Sequence, residues 1–200
     1  SNVKEIYDAC WEIRRTRPDC IIFNQFDEFG NACWHYHVTG AALEEVWRAA
    51  RTPQARLSAF ISATGSAGTI AAGDYLRTRV PDLRVVASEA LQCPTLLHNG
   101  FGAHRIEGIG DKHVPWIHNV RNTDVVCAID DEACLRLLRL FNEPAGRDCL
   151  RAAGVPAELV AQFDLLGISS IANVLAAIKT AKHFEFNRDD VVHTVATDSV

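Results

Sequence analysis

The sequence predicts an α/β protein with a mostly parallel β-sheet and helices on both faces. An apolar run at residues 57–61 leads through a glycine-rich loop into a helical pattern that ends at Val80-Pro81, and a second apolar run follows at 83–87. Apolar runs at 125–129 and 191–196 predict two more strands. Strands joined through a helix in this way form βαβ units, and the strands of such units are parallel.

Composition limits the class of protein. Two hundred residues, 48% of them hydrophobic, can bury one substantial core, so we expect residues 1–200 to form a single α/β unit. The net charge of -5, with arginines scattered among acids, argues against nucleic acid as a partner. No apolar run approaches the roughly 20 residues of a membrane span, and no charged-then-apolar leader opens the chain. We therefore expect a cytoplasmic protein that binds a small molecule and no membrane.

The seven cysteines predict no disulfide framework, because their number is odd and no two are spaced as C-x-x-C. We expect them to be reduced and mostly buried. Cys134 lies on the apolar stripe of a predicted helix, which argues against a catalytic thiol there. Cys33, beside His35, keeps a small chance of such a role.

Local patterns predict the elements on either side of the glycine loop. Residues 3–15 have the spacing of an amphipathic helix, 20–23 resemble a buried strand that ends in Asn24-Gln25-Phe26, 27–40 resemble a loop, and 41–50 a helix. His35 and His37 could share one strand face, but two histidines without a third ligand nearby are weak evidence for a metal, and we predict none.

The second half of the chain contains one long irregular segment and two predicted helices. Residues 91–123 are rich in glycine and lack periodicity, which in a compact domain usually marks a functional segment. Asp130 should cap a helix. The helix after Ser169-Ser170 should direct Ile171, Val174, Leu175 and Ile178 to the core.

The loop Gly65-Ser66-Ala67-Gly68-Thr69 is the strongest candidate for a binding site. Its side chains are small, so its backbone can approach a ligand closely, and a helix begins directly after it. Free N–H groups and the positive end of the helix then converge on a point that suits an anion, most plausibly a phosphate. A tight turn without a ligand is an equal alternative for the loop by itself.

Two kinds of nucleotide site are alternatives to a simple phosphate site at this loop. Glu89 ends the strand after the loop, where a nicotinamide site would place its ribose-binding acid. However, Gly65 and Gly68 form only G-x-x-G and not the G-x-G-x-x-G turn. The loop also lacks the lysine, with a Ser or Thr directly after it, of the loops that bind nucleotide triphosphates, so we do not expect a nucleotide triphosphate.

Several blocks together resemble the fold type II pyridoxal phosphate enzymes, within them the cysteine synthase and cystathionine β-synthase family. Asn24-Gln25-Phe26 is similar to the family's Q-Q-F motif and Thr39-Gly40 to its T-G motif. The loop Gly65-Ser66-Ala67-Gly68-Thr69 is similar to G-T-G-G-T, and residues 104–110 are similar to H-K-I-Q-G-I-G. Gly167-Ile168-Ser169-Ser170 is similar to the start of G-I-S-S-G-A, and all five blocks occur in the family's order.

The resemblance implies a fold like that of tryptophan synthase β, pyridoxal 5'-phosphate as cofactor, and β-elimination or β-replacement on an amino acid, in a homodimer. It implies that residues 65–69 bind the cofactor phosphate and that Ser169 faces the pyridine nitrogen. Gln25 and Gly108 would contact the substrate. For Ser169 a simple N-cap is the alternative.

The resemblance covers only the larger, C-terminal part of such an enzyme, with residues 1–40 expected to join the small domain to the large one. The family's Schiff-base lysine lies upstream of the matched part, and none of Lys4, Lys112, Lys179 or Lys182 matches it. We therefore assign no catalytic residue, and a non-catalytic cofactor-binding fragment or homologue stays open. The sequence departs from the family's pattern at Ser66, Ala67, Ser88, Ala90, Asp111, Lys112, His113 and Ile171.

Overall fold

The computed structural model describes residues 3–196, and a four-stranded sheet forms its centre. The strands are β1 (Arg56–Ala63), β2 (Arg84–Ala90), β3 (Val125–Ile129) and β4 (Asp190–Thr194). They lie in the order β3-β2-β1-β4, and each neighbouring pair is parallel. The predicted α/β class with a parallel sheet is confirmed.

Helices occupy most of the remaining described chain. They are α1 (Val3–Thr16), α2 (Phe29–Trp34), α3 (Gly40–Ala50), α4 (Ala71–Arg79), α5 (Thr95–His98), α6 (Asp131–Asn142), α7 (Pro144–Ala152), α8 (Ala157–Val160) and α9 (Ile168–His183). A π-helical turn, His35–Thr39, joins α2 to α3, and 3-10 turns span Val120–Asn122 and Phe163–Leu165. Asp130 caps α6 as expected, since its side chain accepts a hydrogen bond from Ala133 N at 3.2 Å.

Two apolar layers sandwich the sheet. Trp47 of α3 and Leu76 of α4 pack with Phe60 and Val85 on one face. Ile171 of α9 and Phe141 of α6 belong to the cluster on the opposite face. The central strands are therefore buried on both sides, which is why they read as almost continuous apolar runs.

A bulge in β1 decides which side chains face each layer. The register between β1 and β4 shifts between Leu57 and Ala59, so Ser58 is an extra residue in β1. Leu57 and Phe60 then both lie on the α3 and α4 side, although strict alternation would place them on opposite faces.

The strand predicted at residues 20–23 is absent. Ile21 is 82% exposed and Phe23 is 91% exposed, and the segment pairs with none of the four strands of the described sheet. The segment is apolar, but a strand also needs a neighbouring strand that satisfies its backbone hydrogen-bonding groups. The prediction of a buried strand was wrong for this reason.

The prediction of a loop at residues 27–40 is also wrong, because the chain is helical from Phe29 to Thr39. Tyr36 packs edge-on against Tyr75 of α4, with ring centroids 5.4 Å apart, and Gly40 lies close against Tyr75. These long-range contacts stabilise helical turns that local propensity did not indicate. His35 and His37 consequently lie in the π-helical turn and not on a strand face.

Helix α9 differs from its prediction at one position. Ile171 is buried and Val174 and Leu175 are partly buried, but Ile178 is 51% exposed. In this part of the helix the buried positions are instead Ala176, fully buried, and Thr180, 2% exposed.

Within residues 3–196, no single helix is long and apolar enough to cross a membrane. The segments Ala157–Leu165 and Ile168–His183 reach that length and composition only when taken together, across a bend of 119°.

The layer between β1 and α4 gives a test of core packing. Phe60 is fully buried, so Phe60→Ala should lower the free energy of unfolding by about 3–5 kcal/mol. Ile178→Ala, at a half-exposed position on α9, should change it by less than about 0.5 kcal/mol. Urea denaturation of both variants measures the difference, and equal losses would contradict the assigned packing.

The buried thiol of Cys134 gives a second test. Burial, and then the carboxylates of Asp131 and Asp130, raise the pKa of this thiol to about 12. Iodoacetamide at pH 8 should therefore modify the exposed Cys33 and leave Cys134 unmodified until urea unfolds the protein. The pKa of this thiol is higher in the folded protein than in the unfolded chain. Its contribution to the free energy of unfolding is therefore fully present below about pH 9 and is lost as the pH rises towards about 12. Mass spectrometry of the alkylated peptides decides, and early labelling of Cys134 would refute its burial.

Candidate functional site

A cavity of about 110 Å³ opens at the carboxyl edge of the sheet, between β1 and β4. The chain proceeds from β1 to β2 and β3 on one side, whereas β4 returns to the other side of β1. Such a reversal of strand order leaves a crevice at the carboxyl ends of the strands, where open α/β sheets bind ligands. Residues 65–69, Gly108, Ser169 and Asn173 line this cavity.

The loop after β1 presents its backbone to the cavity. Within the described chain, none of the N–H groups from Gly65 to Thr69 donates a hydrogen bond to another residue. Helix α4 begins directly after the loop, where Ala71 N donates to Gly68 O at 3.1 Å. Unpaired N–H groups and a helix N-terminus therefore lie at the same cavity, which is an arrangement that suits an anionic oxygen group.

Ala67 holds an unusual backbone conformation in this loop. Its φ is +62°, in the left-handed region, and its side chain is only 4% exposed. The resemblance has glycine at this position, and glycine adopts such a φ without steric cost. The methyl group of Ala67 thus packs in the core beside α4 while its backbone is strained.

Asn31 ties the loop to the Asn24-Gln25-Phe26 segment. Its Nδ2 donates to Gln25 O at 2.8 Å and to Ser66 Oγ at 3.2 Å. A Cβ added at Gly68 would overlap the Asn31 side chain. Glycine at 68 is therefore required for this close approach of Asn31 to the loop.

The 104–110 segment forms another wall of the cavity. Gly108 has φ +83° and Gly110 has φ +87°, and Gly110 N donates to Thr64 O at 2.8 Å. A Cβ built on Gly65 would come within 3.5 Å of Gly108 O. The two glycine-rich segments thus lie in contact, and glycine is favoured at 108 and 110 because both have a positive φ.

Helix α9 supplies the polar side chains of the opposite wall. Ser169, 7% exposed, and Asn173, 5% exposed, are four residues apart and so share one face of the helix. Gly167 is the N-cap residue of α9, and Ser169 is the second residue inside the helix. The alternative role of Ser169 as an N-cap is therefore wrong.

A second, much smaller cavity lies beside Thr64 and Gly65 and is lined by Glu89 and Asp111. Glu89 is 2% exposed, and its carboxylate accepts Leu96 N at 2.8 Å and Leu97 N at 2.9 Å. Since both of its oxygens bind backbone N–H groups, this residue does not have the free carboxylate that a ribose ligand needs.

The second cavity borders α1 through Asp111. The Tyr7 hydroxyl donates to Asp111 Oδ2 at 3.5 Å, and burial together with this carboxylate raises the pKa of Tyr7 above its ordinary range. Asp111 therefore anchors α1 to the segment that follows Gly110.

The histidines singled out in the sequence do not line the cavity at residues 65–69. His35 Nδ1 contacts Thr39 Oγ1 at 2.9 Å, and burial lowers the pKa of His35. His37 packs edge-on against Tyr36, with centroids 4.9 Å apart. In the described part of the chain, no group of three or more His, Cys, Asp or Glu side chains is placed to hold a metal ion.

The structure brings most of the sequence-predicted site residues together. Residues 65–69, Gly108 and Ser169 line one cavity, whereas the side chain of Gln25 is exposed and does not line it. Sequence reasoning missed Asn31 and Asn173. Asn31 follows a glycine that indicated a turn, and Asn173 lies inside an apolar helix without any motif to mark it.

The strain at Ala67 can be measured against a matched alanine. Ala87 of β2 is fully buried with ordinary backbone, so Ala87→Gly should cost about 1.5 kcal/mol from the lost methyl group and the gained chain entropy. Ala67→Gly loses the same methyl group and gains the same chain entropy, but it also relieves the left-handed conformation of Ala67. That relief, about 1–2 kcal/mol, should offset the two losses. Urea denaturation should therefore show Ala67→Gly within about 0.5 kcal/mol of the parent protein. Similar losses in both variants would show that Ala67 carries no strain.

No protein-family model matches the chain. Cysteine synthase B of Campylobacter jejuni is 28% identical over 187 residues, which cover 93% of this chain and 54% of that protein. The probable cysteine synthase of Bacillus subtilis is 29% identical over 94% of this chain and 54% of the relative. The chain spans about half the length of the curated relatives that it matches.

Solved structures give the same assignment of the fold. The O-acetylserine dependent cystathionine β-synthase from Helicobacter pylori superposes with a TM-score of 0.72 at 25% identity, over 96% of this chain and 55% of that one. A hydrogen sulfide-producing enzyme from Fusobacterium nucleatum superposes with a TM-score of 0.75 at 24% identity, over 96% and 51%.

The motif order, the parallel sheet with its cavity at the strand reversal, and the similarity across nearly the whole chain agree. The resemblance inferred from the motifs is confirmed: the chain is similar to cysteine synthases over nearly its whole length and has the fold of the fold type II pyridoxal phosphate enzymes, of which it spans about half.

Proposed function

We propose that this chain is part of an enzyme that uses pyridoxal 5'-phosphate to carry out β-elimination or β-replacement on an amino acid. The observation that carries the proposal is the set of unpaired N–H groups at residues 65–69, which face a cavity at the strand reversal. Similarity to cysteine synthases over 93% of the chain supports it. When bound, pyridoxal phosphate supplies an electron sink for bond breaking at the substrate's α-carbon.

The cofactor phosphate fits the loop for two reasons. An anionic oxygen group can accept hydrogen bonds from the N–H groups of residues 65–69, and the positive end of α4 adds a favourable field. The packing of Asn31 on Gly68 holds the loop backbone in its observed path. We assign Gly65, Ser66, Ala67, Gly68 and Thr69 to phosphate binding.

Ser169 faces the heteroaromatic ring in this proposal. It offers a hydroxyl, which can hydrogen-bond a ring nitrogen but cannot fix a proton on it as a carboxylate can. A weaker electron sink favours β-elimination or β-replacement over chemistry that needs a long-lived carbanion. The burial of Ser169 on the cavity wall supports this role.

Gln25 and Gly108 belong to the substrate side. Asn31 Nδ2 donates to both Gln25 O and Ser66 Oγ, so it links the Gln25 segment to the phosphate loop. Gly108 offers backbone alone on the cavity wall. Both assignments depend on the matched motifs.

The catalytic lysine stays unassigned in residues 3–196. Lysine does not occur among the described residues that line the cavity. Lys179 Nζ donates to Ala128 O at 2.7 Å, and Lys112 Nζ lies 4.7 Å from the centroid of the Phe101 ring. We propose that a lysine elsewhere in the polypeptide attaches the cofactor, in an enzyme that is a cytoplasmic homodimer in which residues 1–40 join a small domain to the large one.

The phosphate loop is tested by substitution at Gly68. Gly68→Val in the full protein would push against Asn31 and displace the loop backbone, so pyridoxal phosphate retention should fall by at least about tenfold, the equivalent of one to two lost hydrogen bonds. Gly30→Val is the control, because a Cβ at Gly30 meets nothing within 4 Å.

The measurement is bound cofactor, by absorbance after gel filtration, with far-ultraviolet circular dichroism to check folding. Retention that is unchanged in Gly68→Val would refute the phosphate assignment. Equal loss in both variants would show that the effect is not specific to the loop.

A further inference from the structure

A cavity of about 360 Å³ lies at the amino-terminal end of β1, away from the phosphate loop. Leu57 near the start of β1 and Leu76 of α4 line it, whereas residues 65–69 follow the other end of β1. The extended chain from Leu57 to Ala63 separates the two places by about 20 Å. A small ligand in this cavity therefore does not reach the site at residues 65–69.

Three arginines line this cavity. Arg48 belongs to α3, Arg51 follows the end of α3, and Arg79 is the last residue of α4; all three are exposed. Among the described residues that line the cavity, Glu44 is the one acidic side chain. Three guanidinium groups and one carboxylate give the lining a net charge of +2, although the whole chain carries -5. This part of the surface therefore attracts anions.

Glu44 holds two of the arginines in place. Its carboxylate accepts the Tyr75 hydroxyl at 2.6 Å, pairs with Arg48, and lies 3.6 Å from Arg79 Nε. The Arg79 guanidinium also lies over the Tyr75 ring, 5.2 Å from its centroid. The two guanidinium groups are thus oriented before a ligand arrives, which reduces the conformational entropy lost on binding.

Arg51 has no such partner. Its side chain forms no ion pair or hydrogen bond within residues 3–196. A guanidinium group can donate two parallel hydrogen bonds to a carboxylate or a phosphate, a geometry that an ammonium group cannot match. The donors of Arg51 are therefore available to an anionic ligand.

The floor of the cavity adds apolar surface. Trp47, Leu57 and Leu76 line it and belong to the apolar layer beside α3 and α4. An inorganic anion would leave this floor to water, whereas an organic anion can cover it. The volume also lies within the range of about 300–1,000 Å³ that is typical of sites for small organic ligands.

We propose that this cavity is a second ligand site, which binds a small organic anion. Arg48, Arg51 and Arg79 hold its carboxylate or phosphate, and its apolar part lies against Trp47. The proposal goes beyond the proposed function and does not depend on it, because this cavity shares no lining residue with the one at residues 65–69.

The test uses the full protein loaded with pyridoxal phosphate and labelled with 5-fluorotryptophan. The 19F resonance of Trp47 is identified as the one missing from Trp47→Phe. Phenyl phosphate, phenylacetate and inorganic phosphate are titrated separately. At least one of the two aromatic anions should shift the Trp47 resonance saturably, and the tighter of them identifies the anionic group. Inorganic phosphate should bind at least about tenfold more weakly, because it cannot cover the apolar floor.

Arg51→Gln tests the role of the arginines. Arg51 is exposed and unpaired in the described chain, so the variant should fold normally, and its affinity for the aromatic anion should fall about tenfold, as for one lost charge-assisted hydrogen bond. Arg51→Lys keeps the charge without the planar fork and should lose less. Isothermal titration calorimetry measures the same dissociation constants without the fluorine label.

Arg121→Gln is the matched control. Arg121 is also exposed, its side chain forms no ion pair or hydrogen bond in the described chain, and it does not line this cavity. The substitution removes the same charge, so the affinity should stay within about twofold of the parent protein if binding depends on the cavity and not on net charge.

Three results would overturn the proposal. One is an unmoved Trp47 resonance with all three probes at about 10 mM. Another is an equal loss of affinity in Arg51→Gln and Arg121→Gln, which would indicate general attraction of anions by the surface. The third is equal binding of inorganic phosphate and phenyl phosphate, which would indicate an adventitious ion only. None of them bears on the retention of pyridoxal phosphate, which Gly68→Val tests separately.

Discussion

The parallel pairing of β1 on both of its edges is the constraint on which the rest of the structure depends. β1 pairs with β2 on one side and with β4 on the other, and Phe60 and Ile61 at its centre are fully buried. Parallel strands end at the same edge, so this pairing brings the loop after β1 and the residue after β4 together. The cavity exists because the chain leaves β1 in one direction and returns to it from the other.

Small residues and close backbone contacts then shape the cavity. Gly110 N bonds Thr64 O, and Asn31 bridges Gln25 O and Ser66 Oγ, so three segments far apart in the chain are held against one another. The strain at Ala67 is tolerated because its methyl group is buried in the layer beside α4. The loop backbone is therefore fixed before a ligand arrives, which reduces the conformational entropy lost on binding.

The two walls of the cavity are chemically different. The loop wall offers N–H donors beside the positive end of α4, whereas the α9 wall offers a hydroxyl and an amide oxygen. A ligand with an anionic group at one end and a heteroaromatic ring that carries a hydrogen-bonding nitrogen at the other matches both walls. This polarity, rather than the size of the cavity, is what favours pyridoxal phosphate over a simple anion.

The sequence by itself determined the parallel α/β class, the four strands, the glycine loop and the resemblance to the cysteine synthase family. These features depend on local sequence: on apolar runs, on small residues and on the order of the motifs. Residues 20–23 and 27–40 were predicted wrongly, because a strand needs a partner strand and a marginal helix needs tertiary packing, and neither Phe23 nor Tyr36 shows locally whether such a partner exists. Only the tertiary structure decided that Asn31 packs on Gly68 and that Asn173 faces the cavity, since hydrogen bonds between residues distant in the chain leave no periodic or compositional signal.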